Sequence, residues 1–262
     1  MLDLIVCEFQ KLRRKKFLIF ATLAALVLPI PMTVFAIRQG WNYDQLYMII
    51  LEFGHFLMLI PVLCIVATML FFMERDNGTL KNLVSIPLSR TKIVFAKLAV
   101  LIVVSIGYSL LAVLSSFIGA TVIGQSVSYV PQRIGLCLIA GVMTMLASIP
   151  CIALIVWFNR NSIISLILTF FYTILGFMVS MGSTGGAQSA PGVNLSTLLP
   201  VGMIGRWLLP KFAGFVRAGS IHLDKAYIST YSVSTPMCLG YLLVIGLIFT
   251  FLIVKAYRHQ KI

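Results

Sequence analysis

Charged residues are scarce in this chain, and acidic residues are the scarcest. Only 10% of the 262 residues are charged, with 7 Asp and Glu against 20 Lys and Arg. A soluble domain usually contains about a quarter charged residues, because its surface must be solvated. The shortage therefore argues against a water-soluble fold, and it leaves few carboxylates for acid–base chemistry.

Cysteine clusters and catalytic motifs are also missing. The five cysteines are scattered, and Cys64, Cys137 and Cys151 lie in apolar stretches, so neither a disulfide framework nor a cysteine-bound metal is expected. The chain has no H-E-x-x-H metalloprotease helix and no G-x-x-x-x-G-K-[ST] loop that would hold a nucleotide. We expect no catalytic residue, no metal and no cofactor here, which makes an integral-membrane enzyme the weaker alternative.

Apolar residues, in contrast, make up 60% of the chain and fall in long blocks. A helix needs about 20 apolar residues to cross the ~30 Å hydrocarbon core of a bilayer. The blocks predict an all-α integral membrane protein, with six transmembrane helices in a single domain over residues 1–262. The predicted spans lie at residues 17–37, 46–73, 93–123, 134–158, 163–181 and 236–256.

Residues 1–16 have the pattern of an amphipathic helix that lies on a membrane surface. Apolar residues recur at helical spacing from Leu2 to Leu12, and five Lys and Arg residues crowd positions 11–16. A signal peptide is the alternative. However, the apolar stretch that follows is longer than the apolar core of a typical signal peptide, which has ~7–15 residues. We therefore expect an uncleaved first span.

Basic residues are distributed unevenly between the two sides that six spans define. The N-terminal segment, the loops after the second and fourth spans and the C-terminal tail carry 14 of the 20 Lys and Arg residues. Because such an excess marks the cytoplasmic side, both termini are predicted in the cytoplasm of a multi-pass protein of the cell membrane. No aromatic–basic module accompanies the charge, so no nucleic acid is expected as a partner.

The cytoplasmic loop 74–92 combines positive charge with turn residues. An Asn-Gly turn precedes residues 79–86, which can form a short helix along the membrane, and Pro87 would end it. Ser89 is then placed to cap the third span. A rigid helix held between two spans would transmit force, so that a partner moving it would tilt both membrane helices together. The simpler alternative is an ordinary positive loop that fixes topology.

The predicted extracellular loop 182–235 is long and regains apolar character near its middle. This pattern predicts a short helix that lies at the outer membrane interface or dips into it. Its apolar face would comprise Leu198, Leu199, Met203, Ile204 and Trp207.

Residues 72–97 resemble a known motif. The pattern F-x-E-R-x-x-G-T-L-K-x-L … P-x-S-R … K between spans two and three looks like the coupling segment of type-2 ATP-binding-cassette (ABC) exporter permeases. The short chain, the basic amphipathic N-terminus and the long outer loop are similar too. Within the family, the chain most resembles the small permeases of lantibiotic and bacitracin self-protection transporters. The matching residues are Phe72, Glu74, Arg75, Gly78, Thr79, Leu80, Lys81, Leu83, Pro87, Ser89, Arg90 and Lys97.

The resemblance implies the permease subunit of an ATP-driven exporter. It implies a dimer with a second permease chain, identical or related, and a separate ABC ATPase subunit that binds ATP and docks on the coupling helix and the interfacial helix. The substrate would be an amphipathic or lipid-like molecule, with an antimicrobial peptide, and hence resistance or bacteriocin immunity, as the favoured class. The residues implied to couple the permease to the ATPase are Glu74, Arg75, Gly78, Thr79, Leu80, Lys81, Leu83, Pro87, Ser89 and Arg90.

Glu52 and His55 are ionisable residues next to apolar sequence in the second predicted span, and such residues are functional candidates. Their spacing of three places both on one helix face. The 28 residues of 46–73 would form a helix of about 42 Å, longer than the ~30 Å hydrocarbon core. Glu52 would then lie near the outer headgroups, within reach of water. Two interpretations stay open: a substrate contact in an outer vestibule, or a solvated or internally paired site.

Small residues recur at spacings of three and four in the third and fourth predicted spans. Such stripes let helix backbones approach closely in lipid, so we expect packing there rather than a polar conduit. The stripes consist of Ser105, Ser109, Ala112, Ser116 and Ala120, and of Gly141, Thr144 and Ser148.

Two further functions stay open as alternatives to the exporter. A secondary transporter would usually show charges at the membrane midplane or broken helices in repeated halves, and neither pattern is evident. A non-transporting assembly or sensor subunit is distinguished by its partners, because an ATPase would not accompany it.

Overall fold

The computed structural model describes residues 2–13, 23, 25–76, 89–158, 162–184, 195–215 and 225–259. Within these residues the regular structure is helical throughout, and no strand occurs. The helices are α1 (Leu2–Arg13), α2 (Pro29–Gln39), α3 (Tyr43–Glu52), a π-helical segment (Phe53–Leu59), α4 (Ile60–Asp76), α5 (Arg90–Ile123), α6 (Val130–Trp157), α7 (Ser162–Thr184), α8 (Leu195–Leu198), α9 (Pro200–Phe215), α10 (Lys225–Tyr231) and α11 (Thr235–His259).

Five stretches of the described chain are long and apolar enough to cross a membrane, so the chain is a multi-pass helical membrane protein. They match the predicted spans two to six to within a few residues, except that the last begins earlier. The predicted first span, 17–37, is described only in part, and that part contains the shorter apolar helix Ala25–Gln39. The five stretches are Tyr43–Phe72, Arg90–Ile123, Val130–Trp157, Ile163–Met181 and Ile228–Tyr257.

The ends of the helices follow from local sequence. Asn42 caps α3 through a capping box with Gln45, which satisfies backbone N–H groups that the first helical turn leaves free. Gly124 ends α5 with a φ of 78°, a left-handed conformation that glycine adopts without strain. Ser89 does precede α5, but its side chain makes no capping hydrogen bond, so the predicted cap is correct in position and wrong in chemistry.

Close packing of α5 against α6 forms the centre of the bundle. All eight small residues of the two stripes are buried, which confirms the packing prediction. Ser105 donates a hydrogen bond to the Gly141 carbonyl over 2.7 Å. A Cβ atom at Gly141 would lie only 2.0 Å from Ser109 Oγ, so the backbones approach as closely as they do because residue 141 has no side chain.

The apolar helix predicted near residues 198–209 exists as α9, and its apolar side chains are buried against other helices. Met203, Ile204 and Trp207 are at most 2% exposed, and α9 packs against α7, α6 and α11. A Cβ atom at Gly176 of α7 would lie 3.0 Å from the Val201 side chain. The missing side chain in α7 lets α9 insert among the spans instead of lying on their surface.

The bundle has two distinct ends. At one end, α1 packs on α5 near its start, and α4 and α11 finish there; we call this the α1 end. At the opposite end α5 finishes, α3 and α6 begin, and α9 contacts the start of α11 through the Trp207 side chain and Thr235; we call this the far end. Since α5 has 34 residues and is about 51 Å long, it extends beyond a ~30 Å hydrocarbon core.

Candidate functional site

The two borders of the predicted coupling segment lie at the α1 end, where α4 finishes and α5 begins. Glu74 and Arg75 are in the last turn of α4, and their side chains are not described. Ser89 and Arg90 stand at the start of α5. The remaining predicted coupling residues lie outside the described part of the chain. These are Gly78, Thr79, Leu80, Lys81, Leu83 and Pro87.

Lys97 joins three helices at this end. Its side chain is fully buried, and its Nζ atom donates a hydrogen bond to the carbonyl oxygen of Leu70 in α4. The same Nζ lies 3.3 Å from the Glu8 carboxylate of α1. It also stands 5.4 Å from the centre of the Phe71 ring. One ammonium group of α5 therefore ties α1 and α4 to the third span.

Glu8 is the acidic partner in this cluster. It is 1% exposed and also forms an ion pair with Lys11, one helical turn further along α1. Removing two charges from water costs several kcal/mol per ion, so a buried pair adds little net stability, whereas deleting one partner costs about 3–5 kcal/mol. The pair therefore determines the position of α1 on α5 and adds little to the free energy of unfolding.

The end of α11 joins the same cluster through Tyr257. Its ring contacts the Phe71 ring edge-on, with 5.9 Å between the ring centres. The Tyr257 carbonyl accepts a hydrogen bond from Arg90 over 3.3 Å. The helices α1, α4, α5 and α11 are thus linked around the borders of segment 74–92, so a displacement of that segment reaches all four. We call Glu8, Lys97, Phe71, Arg90 and Tyr257 the junction.

Sequence reasoning found Lys97 and Arg90 of the junction and missed Glu8. Lys97 and Arg90 belong to the motif of residues 72–97, whereas Glu8 was part of an amphipathic helix with no assigned role. A usable signal was present, because Glu8 stands between Ile5 and Leu12 on the apolar side of α1 and a carboxylate there needs a cationic partner.

His55 lies in the interior of the bundle, between three spans. It is fully buried, with Nε2 at 3.1 Å from Ser109 Oγ of α5 and 3.9 Å from Cys137 Sγ of α6. Its Nδ1 is 2.9 Å from the Leu51 carbonyl. Of the two interpretations left open by the sequence, these contacts agree with an internally paired residue. Whether it also meets a substrate stays a prediction.

The surroundings of Glu52 differ from what the sequence predicts. The residue is 8% exposed, so the expected access of water at this position is wrong. The π-helical segment begins directly after it, and the wider i→i+5 turns shift the faces of the helix. A spacing of three residues therefore does not place Glu52 and His55 on one face of the helix. The periodicity of apolar residues in the sequence does not reveal the switch to a π-helix.

A second buried charge cluster occupies the far end. Arg133 of α6 is 1% exposed, forms an ion pair with Asp44 of α3, and donates to the Ser128 carbonyl over 2.7 Å. Its guanidinium carbon lies 4.6 Å from the ring centre of Tyr43 and 5.1 Å from that of Tyr47. A planar cation suits such stacking. The sequence suggests for Arg133 only a charge in a loop on the outer side of the membrane. In the structure it joins the starts of α3 and α6.

No metal-binding group stands out in the described residues. Among them, no set of three or more His, Cys, Asp or Glu side chains could hold a metal ion. The five cysteines are free thiols, and Cys7 alone among them is exposed. Within the described part of the chain, the two charge clusters link helices to one another.

A family model described as ABC-2 family transporter protein matches residues 4–176, which is 173 of the 262 residues. The matched region contains α1 from Leu4 onward, the segment 74–92 and the junction except for Tyr257. No curated protein matches the chain.

Proposed function

The chain belongs to the ABC-2 transporter family and is a membrane subunit of an ABC transporter, and we propose that a separate ATPase subunit drives it through segment 74–92. The ATPase would bind ATP, because this chain has no phosphate-binding loop. Segment 74–92 would dock on it through the predicted coupling helix, with α1 as a second contact. The chain itself would need no cofactor.

The junction is the observation that carries this proposal. Segment 74–92 connects α4 to α5, and Lys97 ties these two helices to each other and to α1. Tyr257 extends the links to α11. A push on the segment would therefore tilt several spans as a group, which is what conversion of ATP binding into a membrane rearrangement requires.

We further propose six spans, with both termini in the cytoplasm of a cell carrying the protein in its plasma membrane. The distribution of Lys and Arg supports this orientation, and the apolar helix Ala25–Gln39 together with residues 17–24 would supply the first span. On this topology the α1 end is cytoplasmic, so the junction faces the compartment that holds ATP.

A second permease chain, identical or related, would complete the transporter. Large apolar side chains of α7 and α11 are exposed, among them Phe170, Phe171, Leu247 and Phe251. These faces suit lipid, and part of them suits another permease.

The proposed substrate is an amphipathic or lipid-like molecule, with an antimicrobial peptide as the favoured class. The resemblance to self-protection permeases supports this choice, as does the apolar character of the spans. Glu52 and His55 are buried, so they would meet a substrate only when the second and third spans separate. They stay candidates for contact in such an open form.

The first test is to purify the tagged chain from its native membrane in mild detergent and to identify stoichiometric partners by mass. We expect an ATPase subunit with a phosphate-binding loop. Gly78→Pro should remove coupling between ATP hydrolysis and transport while the chain still inserts, because proline fixes φ at about −65° and cannot adopt the positive φ that the predicted Asn-Gly turn favours. An ion-driven transporter or a sensor subunit would purify without an ATPase, and that result would refute the proposal.

A further inference from the structure

Glu8 and Lys97 are buried charges that lie far apart in the sequence and within 3.3 Å in the fold. Both are at most 1% exposed, and they join the N-terminal helix α1 to the start of the third span. Their chemistry is that of an oriented contact between two helices.

We propose that the Glu8–Lys97 pair positions α1 so that α1, α4 and α5 move as one body when the ATPase acts on segment 74–92. The inference rests on the proposed function and assigns Glu8 and Lys97 as positioning residues for energy coupling. Without the pair, α1 would still lie on the membrane and the ATPase would still bind, but the motion would not be passed on in full.

The location of the pair supports this role. Lys97 lies seven residues after the start of α5 at Arg90, and its acceptor Leu70 lies six residues before the end of α4 at Asp76. The link therefore crosses both helices about two turns from the borders of the segment. At that distance it can keep α4 and α5 from sliding past each other while the segment itself stays free to bind a partner.

The chemistry of the pair supports the same role. Apolar side chains hold two helices together but tolerate sliding, since their attraction has no direction. An ammonium group has three donors on a flexible stem, and here it binds the Leu70 carbonyl and the Glu8 carboxylate at once. Glu8 keeps its pair with Lys11 of the same helix when α1 shifts, but the buried Lys97 ammonium has a carboxylate partner only where α1 brings Glu8 to it. Because a buried charge without its partner is costly, the pair favours a single relative position of the three helices.

The test uses the complete permease–ATPase complex in liposomes, in a chain with Cys7→Ser so that added thiols can be labelled selectively. Spin labels at Ser126→Cys and Met237→Cys, two exposed far-end positions, report the distance change on addition of a non-hydrolysable ATP analogue. Glu8→Gln should reduce the fraction of shifted molecules by about fivefold or more, the lower range of typical coupling between sites. The matched control is Asp3→Asn, which neutralises an exposed carboxylate of the same helix.

The outcomes separate the role in coupling from general damage. Glu8→Gln with a bound ATPase and a reduced shift, together with a normal Asp3→Asn control and partial rescue by Glu8→Asp, supports the proposal. A full shift in Glu8→Gln overturns it. Loss of ATPase binding in Glu8→Gln also overturns it, because Glu8 would then build the docking surface and not transmit the motion.

A second measurement keeps this inference separate from the proposed function. If the Cys7→Ser complex with an intact Glu8 contains no ATPase, or shows no nucleotide-dependent shift, the proposed function is wrong. Hydrogen exchange of residues 2–13 then decides about the pair alone. Faster exchange in Glu8→Gln than in Asp3→Asn shows that Glu8 holds α1 on α5. Equal exchange in the two variants overturns the claim that the pair positions α1.

Discussion

At the scale of single residues, hydroxyl groups from neighbouring helices bind the backbone of the π-helical segment. The Tyr108 hydroxyl of α5 donates to the Gly54 carbonyl over 3.0 Å, while the Tyr108 ring contacts His55 edge-on with 6.3 Å between ring centres. A π-helical stretch is rare and is often found at functional sites. Tyr108 therefore helps to maintain an irregular helix in the span that also carries Glu52 and His55.

We expect Tyr108→Phe to lower the free energy of unfolding by about 0.5–1.5 kcal/mol, because a buried hydrogen bond is lost while the ring contact with His55 remains. Thermal unfolding of the purified chain in mild detergent measures the effect. Tyr241→Phe is the control, since its hydroxyl binds the Leu198 carbonyl at an exposed place and not in the interior of the bundle. An equal loss in both variants would mean that burial does not set the cost.

At the scale of helices and their contacts, the missing side chain at Gly141 determines how closely α6 approaches α5. We expect Gly141→Ala to destabilise the fold by about 1–3 kcal/mol, as overpacking does, because the new Cβ would lie 2.0 Å from Ser109 Oγ. Adding Ser109→Ala should restore part of the loss, although it also removes the His55 contact. Thermal unfolding of the single and double variants gives both values.

Gly135→Ala on the same helix is the matched control, since a Cβ there meets nothing within 4 Å. Replacing that glycine should leave stability unchanged or raise it by about 0.5–1 kcal/mol, the usual difference between Ala and Gly in a helix. Should Gly135→Ala destabilise as much as Gly141→Ala, the loss at Gly141 would not come from the α5–α6 contact, and the packing explanation would be wrong.

The same helices show what can be predicted from the sequence and what requires the fold. The spans of α5 and α6 are predictable because lipid demands long apolar runs, and their stripes are predictable because small residues repeat at helical spacing. The ion pairs Glu8–Lys97 and Asp44–Arg133 are not predictable in this way. Each joins charges from distant parts of the chain, and periodicity reports which face a residue occupies but not which helix meets it.

At the scale of the whole molecule, two ion pairs that join helices occupy opposite ends of the bundle. Glu8–Lys97 links α1, α4 and α5 at the α1 end, and Asp44–Arg133 links α3 and α6 at the far end. The long helix α5 contacts both ends, through Lys97 near its start and through Ser116, whose hydroxyl is 3.2 Å from that of Tyr43. We therefore expect a tilt of α5 at the junction to displace the contacts that α5 makes at the far end.

Orientation decides whether the junction faces ATP, and the native thiols can measure it. Of the five cysteines only Cys7, on α1, is exposed, so we expect a membrane-impermeant maleimide to modify one thiol per chain. With a cytoplasmic N-terminus, inside-out vesicles should be labelled and right-side-out vesicles should not. Cys7→Ser should abolish the labelling, which identifies the thiol. Labelling of right-side-out vesicles would place α1 outside the cell, where no ATPase could reach the junction, and would refute the proposed coupling.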